Sequence, residues 1–127
     1  MKTILVDAAG TFVIEGQGVY QPLYQLLEKY PNKKNIVSNA NDEQLTEYGI
    51  VNMPYEVFTL KHNPNKDNPE YFKIFLKKYN LTPSDVIYFE HIQEAVNSAS
   101  SIGIVSHHYD SDKKDLESLK EFIDKNI

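Results

Sequence analysis

The stretch Thr3-Ile4-Leu5-Val6-Asp7-Ala8-Ala9-Gly10-Thr11-Phe12 decides the fold. Thr3 to Val6 is aliphatic and β-branched and reads as a buried strand, with Asp7 at its carboxyl end. Ala8, Ala9 and Gly10 are small enough to leave backbone N–H groups open beside that carboxylate. Such an arrangement at the end of a central strand is a place to hold an anion beside a nucleophile. Taken alone, Asp7 has a plainer reading too, because an aspartate after a strand often caps the next turn.

Outward from this stretch, apolar runs alternate with helical periodicities. Tyr20, Leu23, Tyr24, Leu27 and Tyr30 recur at helical spacing up to Pro31. Asn35-Ile36-Val37-Ser38 is a short strand, and Asn41 caps a helix carrying Leu45 and Tyr48 that Gly49 ends. Val57 to Leu60 is the next strand. Asn68-Pro69 opens a helix with Phe72, Phe75, Leu76 and Tyr79 as its apolar stripe. Thr82 to Asp85 makes a turn before the strand Val86-Ile87-Tyr88-Phe89. Ile92, Ala95, Val96 and Ala99 mark a helix that Gly103 ends, Ile104 to Ser106 a last strand, and Leu116, Leu119 and Ile123 a terminal helix. Strands alternating with helices over short connections predict one α/β domain over residues 1–127, a three-layer α/β/α sandwich around a five-stranded parallel sheet. Ligands of such sheets gather at the carboxyl ends of the strands, where Asp7, Ser38, Glu90 with His91, and His107 fall.

The chain of 127 residues is 41% hydrophobic and 24% charged, within the globular range. Its net charge of −5 gives no basic face, so nucleic acid is not expected as a partner. There are no cysteines, which excludes disulfides, thiolate metal sites and a cysteine nucleophile. The apolar run at the amino terminus is broken by Asp7, unlike a signal peptide, and no run approaches a membrane span. The expectation is a cytoplasmic protein with no membrane association.

The motif around Asp7 resembles the opening motif of the haloacid dehalogenase superfamily, Asp-x-Asp-Gly-Thr, and the resemblance extends over nearly the whole chain. Ile36-Val37-Ser38-Asn39-Ala40 is similar to the second motif, a strand ending in a hydroxyl residue that hydrogen-bonds a phosphoryl group. Val57-Phe58-Thr59 followed by Lys66-Asp67-Asn68-Pro69 resembles the third, whose lysine neutralises nucleophile and phosphate. Val86-Ile87-Tyr88-Phe89-Glu90-His91 stands where the fourth has an acidic pair. The resemblance implies a Rossmann-like fold, Asp7 as a nucleophile forming a covalent intermediate, and Ser38 and Lys66 as its catalytic companions. It implies a phosphate site from Ala8, Ala9, Gly10, Ser38, Asn39 and Lys66. It also implies Mg2+ held by Asp7, the Ala9 carbonyl and the acidic pair, with no organic cofactor.

Two residues depart from that pattern. Ala9 replaces the second aspartate, which in the family protonates the leaving oxygen and later activates water. His91 falls at the direct metal ligand, leaving Glu90 in the more peripheral acidic position, and an imidazole is a poor ligand for magnesium. Dehalogenases of the superfamily also lack the second aspartate, and phosphonate-cleaving members carry alanine there. The latter use a lysine from a cap domain, however, and the 23 residues between Gly10 and Lys34 leave no room for a cap. Outside the motifs, Ser38 reads as a turn residue and Lys66 as a solvated one.

His107, His108 and Asp110 lie near the same edge, and with His91 they are candidates for a transition-metal site or simply a solvated loop. The expected function is therefore a capless, catalytically impaired phosphatase-like protein with an oxyanion pocket for a small phosphorylated ligand. A protein partner or a second copy of the chain is the further expectation at the uncapped edge. The alternative is an active hydrolase that uses Asp7 as nucleophile, with an unusual metal or proton-transfer arrangement at Glu90 and His91.

Overall fold

A computed structural model describes residues 1–127. Strand β1 (Thr3–Asp7) leads into a small antiparallel ribbon, β2 (Val13–Ile14) with β3 (Gly18–Val19), and then helix α1 (Gln21–Leu27). Strand β4 (Lys34–Ser38), helix α2 (Asp42–Glu47), strand β5 (Glu56–Thr59) and helix α3 (Pro69–Tyr79) follow. Strand β6 (Val86–Glu90), helix α4 (Gln93–Ser101), strand β7 (Val105–His108) and helix α5 (Leu116–Asn126) complete the chain. The main sheet has five parallel strands in the order β5-β4-β1-β6-β7. Helices cover both faces, giving a three-layer α/β/α sandwich without a cap domain.

The central strands are near-continuous apolar runs because both of their faces are covered. Ile4, Val6, Ile36, Ile87 and Phe89 pack against α1 and α5 through Leu23, Leu27, Leu119 and Ile123. Leu5, Val37 and Tyr88 face the other way, onto Phe72, Phe75 and Leu76 of α3 and Ala99 of α4. Helix ends carry the chemistry expected of them. The Asn41 side chain accepts from the Gln44 N–H while Gln44 Oε1 accepts from the Asn41 N–H, a reciprocal cap. Asn68 accepts from the Glu70 N–H ahead of Pro69, and Asn80 ends α3 in the left-handed conformation.

Several boundaries differ from the sequence reading. Helix α1 stops at Leu27, and Glu28 to Tyr30 form a tighter turn in which Lys29 and Tyr30 N–H groups bond to Leu26 and Leu27 carbonyls. The β2–β3 ribbon stands where the sequence reading has only a connection; its signal is the pair of glycines at 16 and 18 between Val13-Ile14 and Val19. Strand β7 runs through His108, so the histidines lie in the edge strand rather than past it. No helix is long and apolar enough to cross a membrane.

Candidate functional site

The order of strands reverses at β1, the central one, so the crevice beyond its carboxyl end is where this architecture gathers ligands. Val6 pairs with Phe89, so the next residues, Asp7 and Glu90, stand side by side on neighbouring strands and point to the same face. On the other side Asp7 pairs with Val37, which brings Ser38 to the same rim. A pocket of about 300 Å³ opens there, lined by Asp7, Ser38, Asn39, Lys66, Glu90 and His91 among others.

Asp7 is 2% exposed, and each of its oxygens is engaged. Oδ1 accepts from Lys66 Nζ at 2.7 Å, and Oδ2 accepts from Thr11 Oγ1 at 2.6 Å and from His91 Nδ1 at 2.5 Å. Glu90 is fully buried, and its Oε1 accepts from Lys66 Nζ at 2.7 Å and from the Tyr88 hydroxyl. Its Oε2 accepts from the His91 and Ile92 backbone N–H groups at 3.1 and 3.2 Å and lies 3.3 Å from His91 Nδ1. Two carboxylates and two cationic side chains thus alternate around one cluster.

Ionisation follows from that geometry. Burial works to raise the Asp7 carboxyl, but the Lys66 ammonium and the His91 hydrogen bond outweigh it and hold the group far below the usual carboxylate range. The bond to Asp7, then the one to Glu90, pushes His91 up to about 10 against the opposing effect of burial. Burial would lower Lys66, and the charges of Asp7 and Glu90 more than reverse it. Burial, followed by the charge of Asp7, raises Glu90.

Free donors line the crevice. The backbone N–H groups of Ala9 and Asn39 have no partner in the protein, but those of Ala8 and Gly10, expected to be open as well, are taken by the Val37 and Val13 carbonyls at 3.3 and 2.9 Å. Ser38 Oγ accepts from the Ala40 N–H at 3.0 Å, which leaves its own proton to donate. The Asn39 side chain accepts from the Lys66 N–H at 2.7 Å and so ties the lysine loop to the second strand end. The Ala9 side chain is a methyl group and donates nothing.

Sequence comparison adds no identity: no family model matches, and no curated protein does. Solved structures do match. An uncharacterised protein from Corynebacterium glutamicum superposes with a TM-score of 0.62 at 18% identity, over 96% of this chain and 95% of its own. A haloacid dehalogenase family enzyme from Bacteroides thetaiotaomicron superposes with a TM-score of 0.64 at 11% identity, over 87% of this chain and 95% of its own. That enzyme was crystallised as an aspartate-to-alanine variant with magnesium and inorganic phosphate. A D,D-heptose 1,7-bisphosphate phosphatase from Burkholderia thailandensis gives 0.56 at 10% identity, over 82% of this chain and 75% of its own. The chain has a haloacid dehalogenase-like fold.

Within that fold, Asp7, Glu90 and His91 are a group of metal-ligating type, their ligand atoms all within 4.8 Å of one another. Magnesium fits this set poorly. It demands oxygen donors in near-octahedral geometry, whereas one donor here is an imidazole nitrogen already hydrogen-bonded to another member of the set.

Several readings need correction. Glu90 is not peripheral: strand alternation turns it inward onto Lys66, where it is fully buried. Lys66 is not solvated, as its polar loop taken alone would suggest, but buried beside Asp7 and Glu90, at 2.7 Å from each. His107 and His108 do not join His91 in a metal site. The His107 ring stacks on Phe122 with centroids 5.0 Å apart, and His108 Nε2 donates to the His91 backbone carbonyl at 2.9 Å. The sequence reading gives Tyr71 no role at the site, yet its buried hydroxyl accepts from the Ser38 N–H at 3.0 Å and donates to the Ser38 carbonyl at 2.8 Å. Tyr71 and Tyr88 thus belong to the supporting structure. Tyr88 was legible two residues before Glu90 on one strand face, whereas Tyr71 carries no sequence signal.

Proposed function

We propose that this protein binds a small oxyanion, inorganic phosphate or a phosphorylated metabolite, at the carboxyl end of β1, and that it is impaired as a phosphatase. The observation that carries this reading is the convergence of unpaired Ala9 and Asn39 N–H groups, the Ser38 hydroxyl and Lys66 on one pocket. Backbone donors beside a cation are what a phosphate requires. Impairment is supported by the state of Asp7. A carboxylate whose oxygens are shared among Lys66, Thr11 and His91 is a weak nucleophile, and Ala9 offers no proton to a leaving group. The loss of general acid–base catalysis alone removes about two to four orders of magnitude in rate.

Calorimetric titration with inorganic phosphate tests the binding half. Asp7 opposes an anion, so wild type should bind modestly and Asp7→Asn more tightly, while Ser38→Ala should weaken both. Absence of phosphate binding to both wild type and Asp7→Asn would remove the reading.

A further inference from the structure

Lys66 and His91 share the cluster in an unusual way. Lys66 Nζ bridges one oxygen of Asp7 and one of Glu90, at 2.7 Å each. His91 Nδ1 bridges the other oxygen of each, at 2.5 Å to Asp7 Oδ2 and 3.3 Å to Glu90 Oε2. The His91 backbone N–H reinforces the same two oxygens, at 3.4 Å and 3.1 Å. The ring therefore sits between two carboxylates on adjacent strands, the place in which a divalent cation would bridge them.

The neighbouring turn is shaped to admit the ring. Gly10 has φ +87°, and a Cβ built there would lie 2.8 Å from His91 Cε1 and 2.9 Å from Nε2. No other residue leaves that space. Oδ2 of Asp7 is also occupied from a second direction by the Thr11 hydroxyl at 2.6 Å. A magnesium ion needs its oxygen ligands at about 2.0–2.1 Å. Admitting one would require His91 to leave and two hydrogen-bonded positions on the carboxylates to be vacated.

We propose that the His91 side chain occupies the place between Asp7 and Glu90 that a divalent metal would take, so that the pocket takes its phosphate or related oxyanion without metal. This rests on the oxyanion reading above for the ligand, but not for the metal. Lys66 meets one oxygen of each carboxylate and His91 the other, so an incoming anion meets carboxylates that are already partnered rather than bare. Position 91 then determines whether the site depends on metal.

The test begins with metal alone. Wild type and His91→Asp are titrated calorimetrically with magnesium, and separately with manganese, without phosphate present. The expected result is that wild type binds both metals at least about ten-fold more weakly than His91→Asp. Equal affinity in the two proteins overturns the proposal, and so does a variant that folds yet gains no metal affinity, because His91 is then not what excludes the ion. If His91→Asp fails to fold, His91→Ala takes its place against the same criterion. A second arm measures phosphate affinity of wild type in chelator and in excess magnesium. A change of less than about two-fold is expected, and tightening by about ten-fold or more overturns the proposal. Failure of phosphate to bind at all would sink the oxyanion reading and leave the metal titration to decide this one.

Discussion

Replacing Lys66 by methionine removes the cation that two buried carboxylates share. Methionine keeps most of the side-chain volume, so the change is chiefly electrostatic. Lys66 Nζ donates to Asp7 and Glu90 at 2.7 Å each, and those groups are 2% and 0% exposed. Removing one partner of a buried pair costs about 3–5 kcal/mol where the charge left behind is uncompensated. His91 still faces the other oxygen of each carboxylate, so the lower part of that range is expected at pH 8. It is a large fraction of the stability of about 5–15 kcal/mol typical of a domain. The loss should depend on pH with a definite sign. Glu90 is already raised in the folded state by burial and by the charge of Asp7, and without Lys66 it rises further. A carboxyl whose folded pKa exceeds its unfolded value destabilises the protein above the folded pKa, and that penalty is relieved as pH falls toward the unfolded value. Lys66→Met should therefore lose more stability at pH 8 than at pH 5. Urea unfolding followed by circular dichroism measures both, and Lys66→Met with Glu90→Gln should recover part of the loss. A loss below about 1 kcal/mol at pH 8, or one that is the same at both pH values, would refute the description of a buried, lysine-dependent carboxylate pair.

The His91 ring should remain protonated through pH 8 in a nitrogen-detected NMR titration, because its pKa is pushed up to about 10 by Asp7 and then Glu90. Asp7→Asn should bring its midpoint down toward the ordinary histidine value of 6.5, and a wild-type midpoint already there would show that the bond to Asp7 is absent. Gly10→Ala should cost about 1–2 kcal/mol through its left-handed backbone and also shift the His91 resonances, since the new Cβ meets the ring at 2.8 Å. An alanine variant of wild-type stability with unmoved His91 signals would contradict the packing described.

The fold was legible because its determinants are local and repeated. The central runs Ile4-Leu5-Val6, Ile36-Val37 and Val86 to Phe89 are apolar on both faces, and helical stripes separate them, which is the pattern of a covered parallel sheet. Asp7, Ser38, Lys66, Glu90 and His91 could be named because they sit at strand ends or in register with a family motif. What stayed hidden depends on three-dimensional neighbours. Nothing local announces that Lys66, in a loop with Asn63, Asn65 and Asp67, is drawn beneath the surface by charges from two strands. Glu90 looked peripheral because alignment to a motif places residues along the chain and ignores which way a strand turns them. Counting by two from Tyr88 would have turned it inward. The separation of His107 from His91 arises from an aromatic partner, Phe122, on the terminal helix, a contact no spacing rule predicts. Short elements such as the β2–β3 ribbon and the early end of α1 depend on turn geometry, where periodicity has little to work on.

The central claim, a phosphate pocket whose chemistry has been lost with Ala9 and a fully engaged Asp7, is tested most directly by turnover. Purified wild type and Asp7→Asn are assayed with magnesium against a panel of small phosphomonoesters, with released phosphate as the readout. Wild type should release phosphate no faster than Asp7→Asn. Turnover of about one per second or faster, lost in Asp7→Asn, would contradict it.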